Sequence, residues 1–231
     1  MPAPRRRSVR LLLTAGALVA VALAALVWAS VRDAARADRS GGGAVVEGRP
    51  LVAFLGDSWT RGAGATAGRG YAPLTAERLG WGYLHFGIGG SGYSVPGPND
   101  STYADRVAAA AGSGADVIVV QGSLNERRST AAALRSAAAD TLTRLRAEAP
   151  VTARILVVGA SYNPGTPDAT IDWVNREVAA AAERVGLPFV DPAAENWTDP
   201  DDPGVWADPI HPNDRGHALI ADRLAPLLVA R

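Results

Sequence analysis

Residues 51–60 read LVAFLGDSWT, and the order of residue types in this stretch decides the fold. Leu51 to Leu55 form an apolar run of strand length, too uniformly apolar for a sheet wetted on one face. Gly56 then permits a sharp turn, and Asp57, Ser58 and Thr60 place polar groups at the strand's C-terminal end. Parallel α/β sheets carry their chemistry at that edge. A Ser there has an exposed hydroxyl and backbone N–H groups free to face an anion, as a serine nucleophile needs. Taken alone, the triplet also suits a plain strand-to-helix turn with Ser or Asp as N-cap.

The same alternation continues outward. Apolar β-type runs recur at 82–86, 116–120, 154–158 and 187–190, and helical spacing fills about 70–79, 103–111, 129–147, 168–185 and 213–229. Ser129 is placed as the N-cap of the third helical segment, Pro150 follows its end, and Gly186 stops the fourth. Strand and helix in turn predict a three-layer α/β/α sandwich with a mainly parallel five-stranded sheet over residues 50–231.

Upstream, residues 1–10 hold Arg5, Arg6, Arg7 and Arg10 and read as a cytoplasmic basic segment. Residues 11–29 follow without a charge, about the length that spans a bilayer as a helix, roughly 20 residues. The basic flank keeps the N-terminus inside and sends the rest outward. The length favours an uncleaved single-pass anchor, whereas Val27-Trp28-Ala29 and Ala35-Arg36-Ala37 resemble signal cleavage sites and would give a secreted protein. Residues 30–49 have the mixed charge and Gly content of a flexible linker.

Composition narrows the classes further. The formal net charge is zero, so nothing in the composition suggests a nucleic-acid partner, which would show a basic patch or stripe. There is no Cys, so disulfides, thiolate metal sites, a Cys nucleophile and a lipoprotein anchor are all excluded. Every one of the 23 basic residues is Arg, which fits the coding bias of a high-GC bacterial genome.

Near the C-terminal end stands Ala207-Asp208-Pro209-Ile210-His211-Pro212. The prolines prevent a regular helix, and a carboxylate three residues before a His can accept its Nδ1–H and leave Nε2 to take a proton. Between these sites lie two candidate donor loops. Gly87-Ile88-Gly89-Gly90-Ser91-Gly92 formally satisfies a dinucleotide fingerprint, but Ser94 to Pro98 follow where a helix should begin. Such a loop can instead present a bare N–H to an oxyanion. After the third strand run, Asn125 in Gly122-Ser123-Leu124-Asn125-Glu126 offers a side-chain N–H, or alternatively caps a turn. His217 and His85 read as structural. Trp59 and Trp206 adjoin the site as candidates to line its pocket. The acidic residues Asp199, Asp201 and Asp202 lack EF-hand spacing and read as a solvated rim loop.

Together, in this order, Gly56-Asp57-Ser58, Gly90, Gly122 to Glu126 and Asp208 to His211 resemble the four blocks of the SGNH hydrolase superfamily of GDSL-like lipases and esterases. The resemblance implies a flavodoxin-like sheet, no metal and no cofactor. It implies Ser58 as nucleophile, His211 as general base and then acid, and Asp208 as its orienting partner. The Ser58 N–H, the Gly90 N–H (with Gly89 as the alternative) and the Asn125 side chain would form the oxyanion hole. Two departures stand out: an extra residue follows Gly122, and Glu126 replaces Asp. The expected activity is hydrolysis of short acyl esters on small molecules or carbohydrate outside the cytoplasmic membrane. The alternatives are an O-acetyltransferase or deacetylase acting on cell-envelope glycan, and a non-catalytic glycan-binding domain. An α/β-hydrolase would need G-x-S-x-G, which the chain lacks. Oligomeric state is left open.

Overall fold

A computed structural model describes residues 42–229. The anticipated membrane segment lies outside them, and among the described residues no helix is long and apolar enough to cross a membrane.

Five parallel strands form the body of the sheet: β2 (Leu51–Gly56), β3 (Gly82–Gly87), β4 (Val117–Gln121), β5 (Arg154–Val158) and β6 (Phe189–Val190). A sixth, β1 (Gly43–Ala44), comes from the segment read as linker and pairs antiparallel with β3. The sheet is therefore mixed and six-stranded, in the order β1-β3-β2-β4-β5-β6, where five strands were expected. Two Gly-Ala residues carry no alternating pattern, so nothing in the sequence marked this edge.

Among the described residues there are five α-helices: α1 (Tyr71–Leu79), α2 (Val107–Ala111), α3 (Ala131–Glu148), α4 (Asp168–Arg184) and α5 (Asp214–Val229). Side chains alternate across the strands, so one β2 face sends Ala53 and Leu55 into a core shared with Val107, Leu134, Leu142 and Val178. The other sends Val52 and Phe54 against Tyr71, Leu74, Ile220 and Leu224. Thus α2, α3 and α4 cover one face and α1 and α5 the other. Burial on both faces is why residues 51–55 of β2 and 117–120 of β4 are apolar throughout.

Two boundaries shift. Thr130, not Ser129, caps α3, its Oγ1 accepting from the Ala133 N–H at 3.2 Å. Ser129 is engaged elsewhere, bonded to Ser94 Oγ at 2.7 Å. The segment expected as one helix over 103–111 is a 3₁₀ turn at Ala104–Arg106 running into the short α2.

Candidate active site

The chain leaves β2 at the point where the sheet order reverses: β3 is laid on one side of β2 and β4 on the other. Such a switch point opens a crevice at the strand ends. Ser58 stands in it, flanked by the loops that follow β3 and β4. Gly56 is required by proximity, since a Cβ there would lie 2.0 Å from Thr60 Oγ1 and 3.1 Å from Gln121 O. Asp57 then closes a tight turn, its Oδ1 accepting from the Trp59 N–H at 2.9 Å. This fixes Ser58 at the tip.

The loop 207–212 arrives from the far side of the crevice. Asp208 Oδ1 accepts from the N–H groups of Ile210 at 2.7 Å and His211 at 2.8 Å. Its Oδ2 lies 2.8 Å from His211 Nδ1, and His211 Nε2 lies 3.1 Å from Ser58 Oγ. A carboxylate on Nδ1 selects the Nδ1–H tautomer and leaves the Nε2 lone pair facing the hydroxyl. Burial would raise the Asp208 carboxyl, but the hydrogen bonds from the His211 ring and the two N–H groups outweigh it and hold the group below the usual range.

Candidate donors surround Ser58 Oγ. The N–H groups of Ser58, Gly89 and Gly90 have no partner among the described residues. Both glycines line a cleft of about 430 Å³ together with Ser58, Asn125 and His211. Asn125 is brought to the site despite the extra residue before it. Its Nδ2 donates to Ser91 O at 2.9 Å and, more loosely, to Asp57 Oδ2 at 3.3 Å.

Several contributors escaped the sequence reading. Arg106 is buried beneath the crevice. Its guanidinium donates to Gly56 O at 2.7 Å, to Phe86 O and to Ser91 Oγ at 2.7 Å, tying together the ends of β2 and β3 and the glycine loop. Asp57, wholly buried beside it, has its carboxyl pushed up to about 6 by desolvation, against the pull of the Trp59 N–H, Ser123, Arg106 and His211. Asp57 was legible only as part of the Gly56-Asp57-Ser58 turn, and Arg106, next to Asp105, carried no signal of its own.

The remaining candidates fall outside the reacting centre. His217 is buried, accepting the Tyr71 N–H at Nδ1 (3.2 Å) and donating from Nε2 to Ala63 O (3.0 Å), so it clamps α5 to the segment after Ser58. His85 stacks on Tyr83 in β3. Trp59 and Trp206 do not line the cleft: Trp59 is buried, its Nε1 donating to Ile210 O at 3.1 Å, and Trp206 leans on it. Asp199 and Asp202 bond the N–H groups of their own loop, at Asp201 and Gly204.

A carboxylate, an imidazole and a hydroxyl in series can draw a proton from the hydroxyl, and unpaired N–H groups beside it can hold a developing oxyanion. The sequence profile of the GDSL-like lipase/acylhydrolase family matches residues 54–219. A GDSL lipase of Mycobacterium tuberculosis is 29% identical over 187 residues, covering 77% of this chain and 80% of that protein. The fold matches an aryl esterase of Mycobacterium smegmatis at TM-score 0.60 and 15% identity, over 78% of this chain and 98% of that one. It also matches a carbohydrate acetylesterase from Sinorhizobium meliloti at TM-score 0.59 and 17% identity, over 78% and 100% of the two chains.

Proposed function

Since the chain belongs to the GDSL-like lipase/acylhydrolase family, and is thereby a carboxylic ester hydrolase, we propose that it cleaves short acyl esters through Ser58, His211 and Asp208. Ser58 Oγ attacks the ester carbonyl carbon as His211 Nε2 takes the hydroxyl proton, with Asp208 stabilising the imidazolium. The oxyanion is received by the N–H groups of Ser58 and Gly90 and by Asn125. The Asn125 donor is the N–H at 3.3 Å from Asp57, a length at which that bond is readily exchanged. Collapse expels the alcohol with the proton from His211 and leaves an acyl group on Ser58 Oγ. Water, deprotonated by His211, then attacks the acyl carbon, and collapse releases the acid as His211 returns the proton to Ser58 Oγ.

The observation that carries this reading is the unbroken series Asp208–His211–Ser58 at 2.8 and 3.1 Å. Short acyl groups are favoured because the cleft offers an acyl chain few apolar side chains, Ala63 and Ile210 among its ten lining residues. The fold shared with a carbohydrate acetylesterase makes acetylated carbohydrate a substrate to test beside small-molecule esters. The Arg cluster before the uncharged run 11–29 favours action on the outer side of the cytoplasmic membrane.

The test is hydrolysis of p-nitrophenyl acetate, butyrate and octanoate by the full chain and by Ser58→Ala. Loss of activity in the variant, with acetate preferred to octanoate, is the expected result; undiminished activity in Ser58→Ala overturns the assignment. Acetylated glycan recovered as product, in place of free acetate, would identify a transferase using the same residues.

A further inference from the structure

The cleft around Ser58 carries charge that ester hydrolysis does not require. With 20% of the chain charged and the two signs equal in number, ten residues would carry about one cation and one anion. The ten that line this cleft include Arg61, Arg127 and Arg128 and no carboxylate. All three arginines are exposed, and none enters an ion pair among the described residues.

The acids nearest in sequence are turned away. Glu126, beside Arg127, is buried and accepts from the Ser94 N–H at 3.1 Å and from the Ser94 hydroxyl. Asp57 is buried and bonded to the Trp59 N–H, and Asp208 is engaged by His211. Of the arginines, Arg128 holds Gly90 O, whereas Arg127 reaches Leu124 O only at 3.5 Å and the Arg61 guanidinium makes no hydrogen bond to a described residue. Two guanidinium groups thus face the cleft with their donors uncommitted. A concave surface of one sign concentrates oppositely charged substrate, and the planar guanidinium fork matches an oxyanion.

We propose that the preferred substrate is an anionic ester, one bearing a carboxylate, phosphate or sulfate group within reach of the cleft, and that Arg61 and Arg127 select it. The inference rests on Ser58 being the nucleophile. The anion can sit on the acyl side or the alcohol side of the ester, and two substrate pairs separate these. The first pair is the p-nitrophenyl ester of succinate against that of monomethyl succinate. The second is the acetate ester of 4-hydroxybenzoate against that of 4-hydroxybenzamide.

The kcat/KM ratio of anionic to neutral ester is measured for the full chain, Arg61→Gln, Arg127→Gln, the double variant and Ser58→Ala. Within at least one pair the ratio falls about fivefold for each arginine removed, the worth of one solvent-exposed charge pair. About 0.5 M salt lowers the wild-type ratio in the same pair by screening. A ratio equal in wild type and double variant for both pairs overturns the inference. If Ser58→Ala then lacks neutral-ester activity, the nucleophile stands and the charge selection alone falls. Hydrolysis persisting in Ser58→Ala removes both.

Discussion

Glu126 Oε1 occupies the place a side chain on residue 92 would need: a Cβ built on Gly92 lies 2.1 Å from it. The longer acid in place of the family's Asp reaches across to the loop after β3 and holds Ser94, and it does so through space that only a glycine leaves. Gly92→Ala is therefore an overpacking change at a buried site, expected to destabilise by about 1–3 kcal/mol. In the double variant Gly92→Ala/Glu126→Asp the shorter acid withdraws from the clash. Urea unfolding of both single variants and the double variant reads the coupling; strictly additive losses would show that the contact does not constrain the pair.

The pH dependence of stability contains two opposed contributions. Burial raises Asp57 to about 6, above its unfolded value, so the native state binds the extra proton. Stability from this group is full below the unfolded pKa near 3.9 and is lost as pH rises through about 6. Burial lowers His217, so its contribution is present above the unfolded value near 6.5 and is lost as pH falls through the depressed native value. Relative to wild type, Asp57→Asn is expected to gain unfolding free energy between pH 4 and pH 6, up to about 3 kcal/mol for a shift of two units. Relative to wild type, His217→Gln gains as pH falls below about 6.5. Denaturant unfolding across that range checks both, and a difference independent of pH would contradict the respective assignment.

Most of this architecture was legible because strong local signals agreed with one another. The apolar runs of β2 and β4 follow from their burial on both faces at the centre of the sheet, where a strand has no polar side to obscure it. Ser58, Asp208 and His211, each ambiguous by itself, could be named because their blocks stand in the order of a known family, with Pro209 and Pro212 marking the second as irregular. What could not be read is what depends on contacts across the fold. β1 exists only because β3 has an open edge, and Arg106 matters only because three remote acceptors converge on it. Trp59 adjoins Ser58 in sequence, yet its indole turns inward to the loop carrying His211.

That inward contact makes Trp59 a positioning residue. Its Nε1 donates to Ile210 O at 3.1 Å, one residue before His211, and steadies the ring against Ser58. Trp59→Phe keeps an aromatic core filler and removes the donor, so the part-buried Ile210 carbonyl loses a bond worth about 1 kcal/mol. We expect kcat to fall several-fold with KM nearly unchanged, because the loss concerns alignment of the proton acceptor and not substrate contact. Steady-state kinetics on p-nitrophenyl acetate distinguish this from a binding effect, in which KM would rise at constant kcat.

Arg106 supports the whole crevice from below. Besides its bonds to Gly56 O, Phe86 O and Ser91 Oγ, its Nε donates to Thr102 O at 3.1 Å and its guanidinium lies over the Tyr103 ring at 5.0 Å. A methionine there fills similar volume but takes a donor from each of those acceptors, of which Gly56 O keeps the Ile88 N–H at 3.2 Å, and each buried group left unsatisfied costs about 1–3 kcal/mol. Arg106→Lys keeps the charge but cannot reproduce the planar fork, so it restores only part of the network. The expected order of thermal stability is wild type, Arg106→Lys, Arg106→Met. The glycine loop and the Ser58 turn share this support, so kcat should fall in the same order even at temperatures where all three proteins are folded. An Arg106→Met enzyme with wild-type kcat under those conditions would reduce Arg106 to a purely structural residue.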